Sequence, residues 1–145
     1  MHLSIKNLNL INSKVKEIAK KKQLKTFPKV IAVTKTFSLD IIKPLLEAGH
    51  NHFGENKIQE AENKWSNIKS NYPNLQLHMV GKLQSNKVKK AVKLFDYLHS
   101  LDNEKLAIKI DQVQNELNKK LKIFMQVNLG NEIHKSGVSV SQLQD

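Results

Sequence analysis

The chain has 145 residues, 39% hydrophobic and 26% charged, enough apolar material for the core of one domain or part of one. It contains no cysteine, which excludes disulfide frameworks, thiolate nucleophiles and cysteine-bound metals and makes a cytoplasmic setting the default expectation. All 24 basic residues are lysine, so a net charge of +11 arises without the bidentate guanidinium that base readout and phosphate clamps exploit.

A positive field of this size can draw nucleic acid, anionic membranes or phosphorylated small molecules without selecting among them. The missing arginines and the many accompanying asparagines argue against a specific nucleic-acid partner. No apolar run approaches the roughly 20 residues that span a bilayer, and the amino terminus lacks the apolar core of a signal peptide. Membrane insertion and secretion are therefore not expected.

Ile5, Leu8, Ile11, Val15, Ile18 and Ala19 recur at helical spacing and predict an amphipathic first helix that packs on a sheet. After Pro28, residues 30–33 read as a fully buried strand. Ser38 caps a helix through Ile41, Ile42, Leu45, Leu46 and Ala48 that Gly49 stops, with Pro44 expected to delay or kink it. A short strand over residues 50–53 leads into Gly54-Glu55-Asn56 and a helix over 57–68. Strands over 75–80, 97–101 and 123–129 alternate with helices over 85–94 and 104–117, and Ser139, Val140 and Leu143 begin another helical segment before Asp145.

Single strands alternating with helices imply parallel pairing, because right-handed crossovers need room for a helix. Parallel sheets become doubly wound layers or closed barrels, and Thr34-Lys35-Thr36-Phe37 stands where a dinucleotide-binding fold would place its glycine-rich loop, which counts against that doubly wound fold. Five strands do not close an eight-stranded barrel, which usually takes about 250 residues. The expected fold class is α/β, and if the sheet is a barrel, residues 1–145 form the first five strands of a (β/α)8 barrel and the sequence is a truncated one.

Active sites of such barrels lie at the carboxyl ends of the strands. Lys35, Glu55, Asn56, Gly81, Lys82, Ser100, Asp102 and Asn128 are the candidates there. Lys35 shares parity with Ile31 and Val33 and is expected to point into the barrel, with Thr34 and Thr36 facing the helices or a loop. A primary amine at such a place can attack a carbonyl to form a Schiff base, whereas the plainer alternative is a strand emerging into solvent. Asn56 can orient a hydroxyl or an aldehyde oxygen, or cap the next helix. His78, in phase with Val80, can lie against a flat ring or be a satisfied core histidine. Lys82, Lys87, Lys89, Lys90 and Lys93 form a basic patch that can guide an anion or remain a solvated helix face. No compact metal-ligand spacing is present.

Five blocks in order carry a resemblance: Ala32-Val33-Thr34-Lys35-Thr36; Phe53-Gly54-Glu55-Asn56 with Gln59-Glu60; the stretch His78-Met79-Val80-Gly81-Lys82-Leu83-Gln84-Ser85-Asn86-Lys87; His99-Ser100-Leu101-Asp102; and Gln126-Val127-Asn128. Together they resemble the pyridoxal phosphate homeostasis protein family, whose barrel is like the amino-terminal domain of alanine racemase. Glu132 and Lys135 to Gly137 resemble the family's polar segment after the fifth strand, with Asn131 and Ile133 loosening the match.

The resemblance implies that Lys35 binds pyridoxal 5'-phosphate as an internal aldimine, that Asn56 and the segment from His78 to Gly81 line the cofactor, and that related B6 vitamers are possible ligands. It also implies three further strands whose loops hold the phosphate, so this chain is expected to be a carboxyl-terminally truncated member. The family acts in cofactor homeostasis without a defined turnover reaction; no catalytic residue is assigned here because no second catalytic base is evident. The full-length form is expected to be a monomer, whereas open strand edges would let this shorter chain self-associate. The alternatives are a racemase-like enzyme using the same cofactor and a basic module binding nucleic acid or a membrane surface.

Overall fold

The computed structural model describes residues 1–130 and 132–144; the looser match at Asn131 and the stop at Asp145 fall outside them. Five strands form one sheet in the order of the chain: β1 (Ala32–Val33), β2 (His52–Glu55), β3 (Gln76–Met79), β4 (Tyr97–Leu101) and β5 (Lys122–Met125). Every pairing is parallel. Sequential parallel order is what successive right-handed βαβ units generate in an arc of barrel.

The helices are α1 (Leu3–Lys21), α2 (Leu39–Glu47), α3 (Ile58–Trp65), α4 (Val88–Leu94) and α5 (Glu104–Leu117), with 3-10 turns at Lys69–Asn71, Ser85–Lys87 and Val140–Gln144. The expected helix over 85–94 is thus divided between a 3-10 turn and α4. Pro44 neither delays nor ends α2, which runs from Leu39 through it. The helix stops where Gly49 adopts φ +85°, with Gly49 N–H donating to Leu46 O at 2.9 Å and His50 N–H to Leu45 O at 3.0 Å. These two bonds are the Schellman closure that a residue without Cβ permits.

Alternation along the strands divides the sheet into two faces. Phe53, Leu77, Met79 and Leu98 turn toward the helices and meet Ile42, Leu46, Ala61, Trp65, Val92, Leu106 and Ile110 in one core. The opposite, concave face carries His52, Gly54, His78, Val80, Tyr97 and His99.

The first strand and the first helix also depart from expectation. The first strand is shorter and less buried than expected: it comprises Ala32–Val33, and Val33 is 47% exposed. It pairs only with β2, so its concave side chain lacks cover from a second neighbour. Along α1, Ile5, Leu8 and Val15 are half-buried and Ala19 buried, but Ile11 and Ile18 are exposed. The stripe 5, 8, 12, 15, 19 is the one facing the protein, which turns Ile11 and Ile18 toward its solvent edge.

Candidate functional site

Lys35 stands where β1 turns away from the sheet. Before it, Ile31 and Val33 share the concave face: each places a γ-carbon 3.3 Å from where a Cβ on Gly54 would lie, opposite Val80 at 3.5 Å. Thr34 faces the helices and is buried. Lys35 follows as the second residue of a four-residue turn, exposed after Thr34 and closed by Phe37 N–H donating to Thr34 O at 3.2 Å. Thr36, its third residue, has φ +68°. The expected parity therefore holds through Val33, and the turn takes over at Lys35.

Asn56 follows β2, the strand paired with β1, directly and is half-buried. Its amide makes no hydrogen bond among the described residues. The capping alternative does not describe it, because α3 starts one residue later with Lys57 at the N-cap position. Gly81 follows β3 and lies against the Asn56 backbone so closely that a Cβ would overlap the Asn56 carbonyl. From the other side Ser100 Oγ donates to Gly81 O at 2.7 Å. Asn56, Gly81 and Ser100 thereby form one rim across the ends of β2, β3 and β4.

Glu55 is not at the rim with them. It is fully buried on the helical side, where one oxygen accepts from Thr34 Oγ1 at 2.7 Å, Lys64 Nζ at 2.8 Å and Trp65 Nε1 at 3.0 Å. The sequence held the signal: Phe53 and Glu55 share parity, so a core-facing Phe53 places both behind the sheet. Asp102 accepts from Asn103 Nδ2 at 2.8 Å, and Asn128 Nδ2 donates to Glu132 O at 2.9 Å. Lys82 opens onto a cleft of about 480 Å³ shared with Gln126, Asn128, His134 and Lys135.

His78 is 3% exposed and uses both ring nitrogens on other histidines. Its Nε2 meets His52 Nδ1 at 2.9 Å, and its Nδ1 meets His99 Nε2 at 2.9 Å. Its ring stacks on Tyr97 with centroids 4.2 Å apart, and His99 stacks on Phe124 at 4.8 Å. Burial, then the neighbouring His99 and His52, push the His78 pKa down to about 4; burial also lowers His52 and His99. This row across β2, β3 and β4 was invisible to local spacing because its members are 26 and 21 residues apart.

The arrangement offers a primary amine on a turn, an amide with no hydrogen-bond partner among the described residues, a glycine-containing rim and a row of stacked rings. That donor set fits a flat, oxygen-bearing aromatic aldehyde: the amine matches the aldehyde carbon and the amide matches a ring oxygen.

Residues 7–145 match the family model of the alanine racemase N-terminal domain. A pyridoxal phosphate homeostasis protein of Buchnera aphidicola subsp. Schizaphis graminum is 35% identical over 136 residues, covering 92% of this chain and 58% of that protein. Another, from Synechocystis sp., is 39% identical over 116 residues, covering 80% and 53%. Among solved structures, PipY of Synechococcus elongatus is 36% identical and covers 90% of this chain and 60% of that one, with TM-scores of 0.75 without PLP and 0.73 with PLP bound. The chain thus spans a little over half the length of the curated relatives it matches. With its sequential parallel sheet and a match over nearly its whole length, this chain belongs to the alanine racemase N-terminal domain family.

Proposed function

We propose that this chain supplies the aldehyde-binding side of a pyridoxal 5'-phosphate site and works in the homeostasis of that cofactor. The observation that carries the proposal is the pairing of β1 with β2, which brings Lys35, on the turn after β1, and Asn56, directly after β2, to the same end of the sheet. The curated relatives carry the corresponding name, and PipY has been solved with PLP bound.

In this reading residues 1–145 are the first five βα units of one barrel domain. When bound, the cofactor supplies an electrophilic aldehyde on a conjugated ring. Lys35 engages that aldehyde, and Asn56 orients an oxygen on the ring. Gly81 keeps the rim low enough for Asn56 to hold its place. His78 contributes to the wall beneath rather than through a bond of its own, since both nitrogens are occupied. B6 vitamers that retain the aldehyde can use the same amine. Holding an aldehyde needs only an amine, whereas turnover at a substrate carbon needs positioned bases on its faces.

The test is titration of this chain and of Lys35→Ala with PLP, followed by borohydride reduction and peptide mass mapping. One stoichiometric adduct on Lys35, absent from Lys35→Ala, is expected. Adducts scattered over many of the 24 lysines, or none, would overturn the assignment.

A further inference from the structure

The turn that carries Lys35 is not held by apolar packing. Lys35, Thr36, Phe37 and Ser38 are all exposed, and behind them lies a cleft of about 630 Å³ lined in part by Phe37, Leu39, Asn63 and Lys64. Thr36 is β-branched yet has φ +68°, a conformation that L-residues avoid unless their surroundings impose it. Some other restraint must fix this turn.

That restraint converges on Thr34, the buried residue immediately before Lys35. Its N–H donates to Gly54 O at 2.9 Å, and its hydroxyl donates to Glu55 Oε1 at 2.7 Å. Its carbonyl, which also closes the turn, accepts from Lys64 Nζ at 2.7 Å. Lys64 and Glu55 are themselves an ion pair at 2.8 Å, with side chains 9% and 0% exposed. Trp65 donates to the same Glu55 oxygen at 3.0 Å and fixes the carboxylate from the helix. Every polar group of Thr34 is therefore tied to β2 or α3, and two of the three ties run through one buried ion pair.

We propose that the Glu55–Lys64 pair is a clamp on Thr34 that holds the strained turn closed and thereby sets where Lys35 presents its amine. Thr34, Glu55 and Lys64 are positioning residues in this scheme. The ammonium of Lys64 is spent on Thr34 and Glu55, which keeps a second nearby lysine from acting in place of Lys35. The claim rests on the role proposed for Lys35 above, but the state of the turn can be read without any cofactor.

The Phe37 amide reports the closed turn, and the Thr34 amide reports the β1–β2 pairing beneath it. Hydrogen exchange at both is measured in the wild-type chain, Lys64→Met, Thr34→Val and Thr34→Ser, and the share of borohydride-fixed PLP found on Lys35 is measured in the same proteins. Thr34→Val is nearly isosteric and keeps the test intact should Lys64→Met fail to fold. Phe37 protection should fall about tenfold in the first two variants while Thr34 stays protected, and Lys35 should lose its preference for PLP, since small misplacements of a reacting group carry rate costs of that order or more. Thr34→Ser should restore both readouts.

Wild-type Phe37 protection in both folded variants would overturn the clamp. Lost protection with an unchanged Lys35 share would overturn the positioning role. If Lys35 takes no adduct even in the wild-type chain, the proposed function falls, and Phe37 exchange alone decides whether the clamp exists.

Discussion

The carbonyl of Asn56 occupies the space that a Cβ of residue 81 would need, so Gly81 and Asn56 fix each other's position through bare backbone. The overlap is with main-chain atoms, including Asn56 Cα at 2.8 Å, which cannot rotate aside. Gly81→Ala should destabilise the protein by about 1–3 kcal/mol, the usual cost of overpacking. It should also weaken PLP binding by displacing Asn56. Urea unfolding and a PLP titration check both, and an unchanged urea midpoint would show that the two loops separate freely.

Ser100 supports the same rim from below through its bond to the Gly81 carbonyl. Ser100→Ala leaves that carbonyl without this donor, at an expected cost of about 1–2 kcal/mol. Chemical denaturation measures it, and a loss below a few tenths would mean that water replaces the hydroxyl.

Acid should destabilise the fold through the histidine row. His78 is held from 6.5 down to about 4, first by burial and then by His99 and His52, with Lys29 pushing the same way and Asp96 opposing. A histidine kept neutral when folded is protonated more readily when unfolded. The contribution of His78 to stability is therefore present above 6.5 and is lost as pH falls from there toward 4. Urea midpoints at about pH 7 and about pH 5 should differ, and His78→Phe should shrink the difference. Equal midpoints in the wild-type chain would refute this.

Thr36 pays for its left-handed backbone, which costs an L-residue about 1–2 kcal/mol. Thr36→Gly removes that cost while adding about 0.5–1 kcal/mol of unfolded-chain entropy. A net gain of about 0.5–1 kcal/mol is expected, read as a higher melting temperature. A lower one would show that the Thr36 hydroxyl, which donates to Lys35 O at 2.6 Å, outweighs the strain.

Much of the scaffold was legible because it rests on local periodicity. Tyr97–Leu101 and Glu104–Leu117 occur with the bounds the sequence indicates, each framed by its own alternation or cap. The ends were harder: β1 is only Ala32–Val33 and β5 only Lys122–Met125, because burial at a sheet edge depends on neighbours that a local pattern does not encode. Parity along the first strand was legible through Val33, but not the turn that takes over at Lys35. A strand bounded at residue 53 sets Glu55 at the strand end, whereas β2 runs through Gly54 and Glu55. Lys64 carries no local signal, since its burial beside Glu55 arises only when α3 packs against the sheet.

Three imidazoles bonded in series cannot choose their tautomers independently. If His78 donates through Nε2 to His52, its Nδ1 must accept from His99 Nε2, and every member carries its proton on Nε2. The reverse arrangement puts every proton on Nδ1. The neutral row therefore has two collective states, one opening toward β2 with a donor and the other with an acceptor. A hydrogen bond made at either end of the row favours one of these states over the other and so biases the dipole of the whole wall.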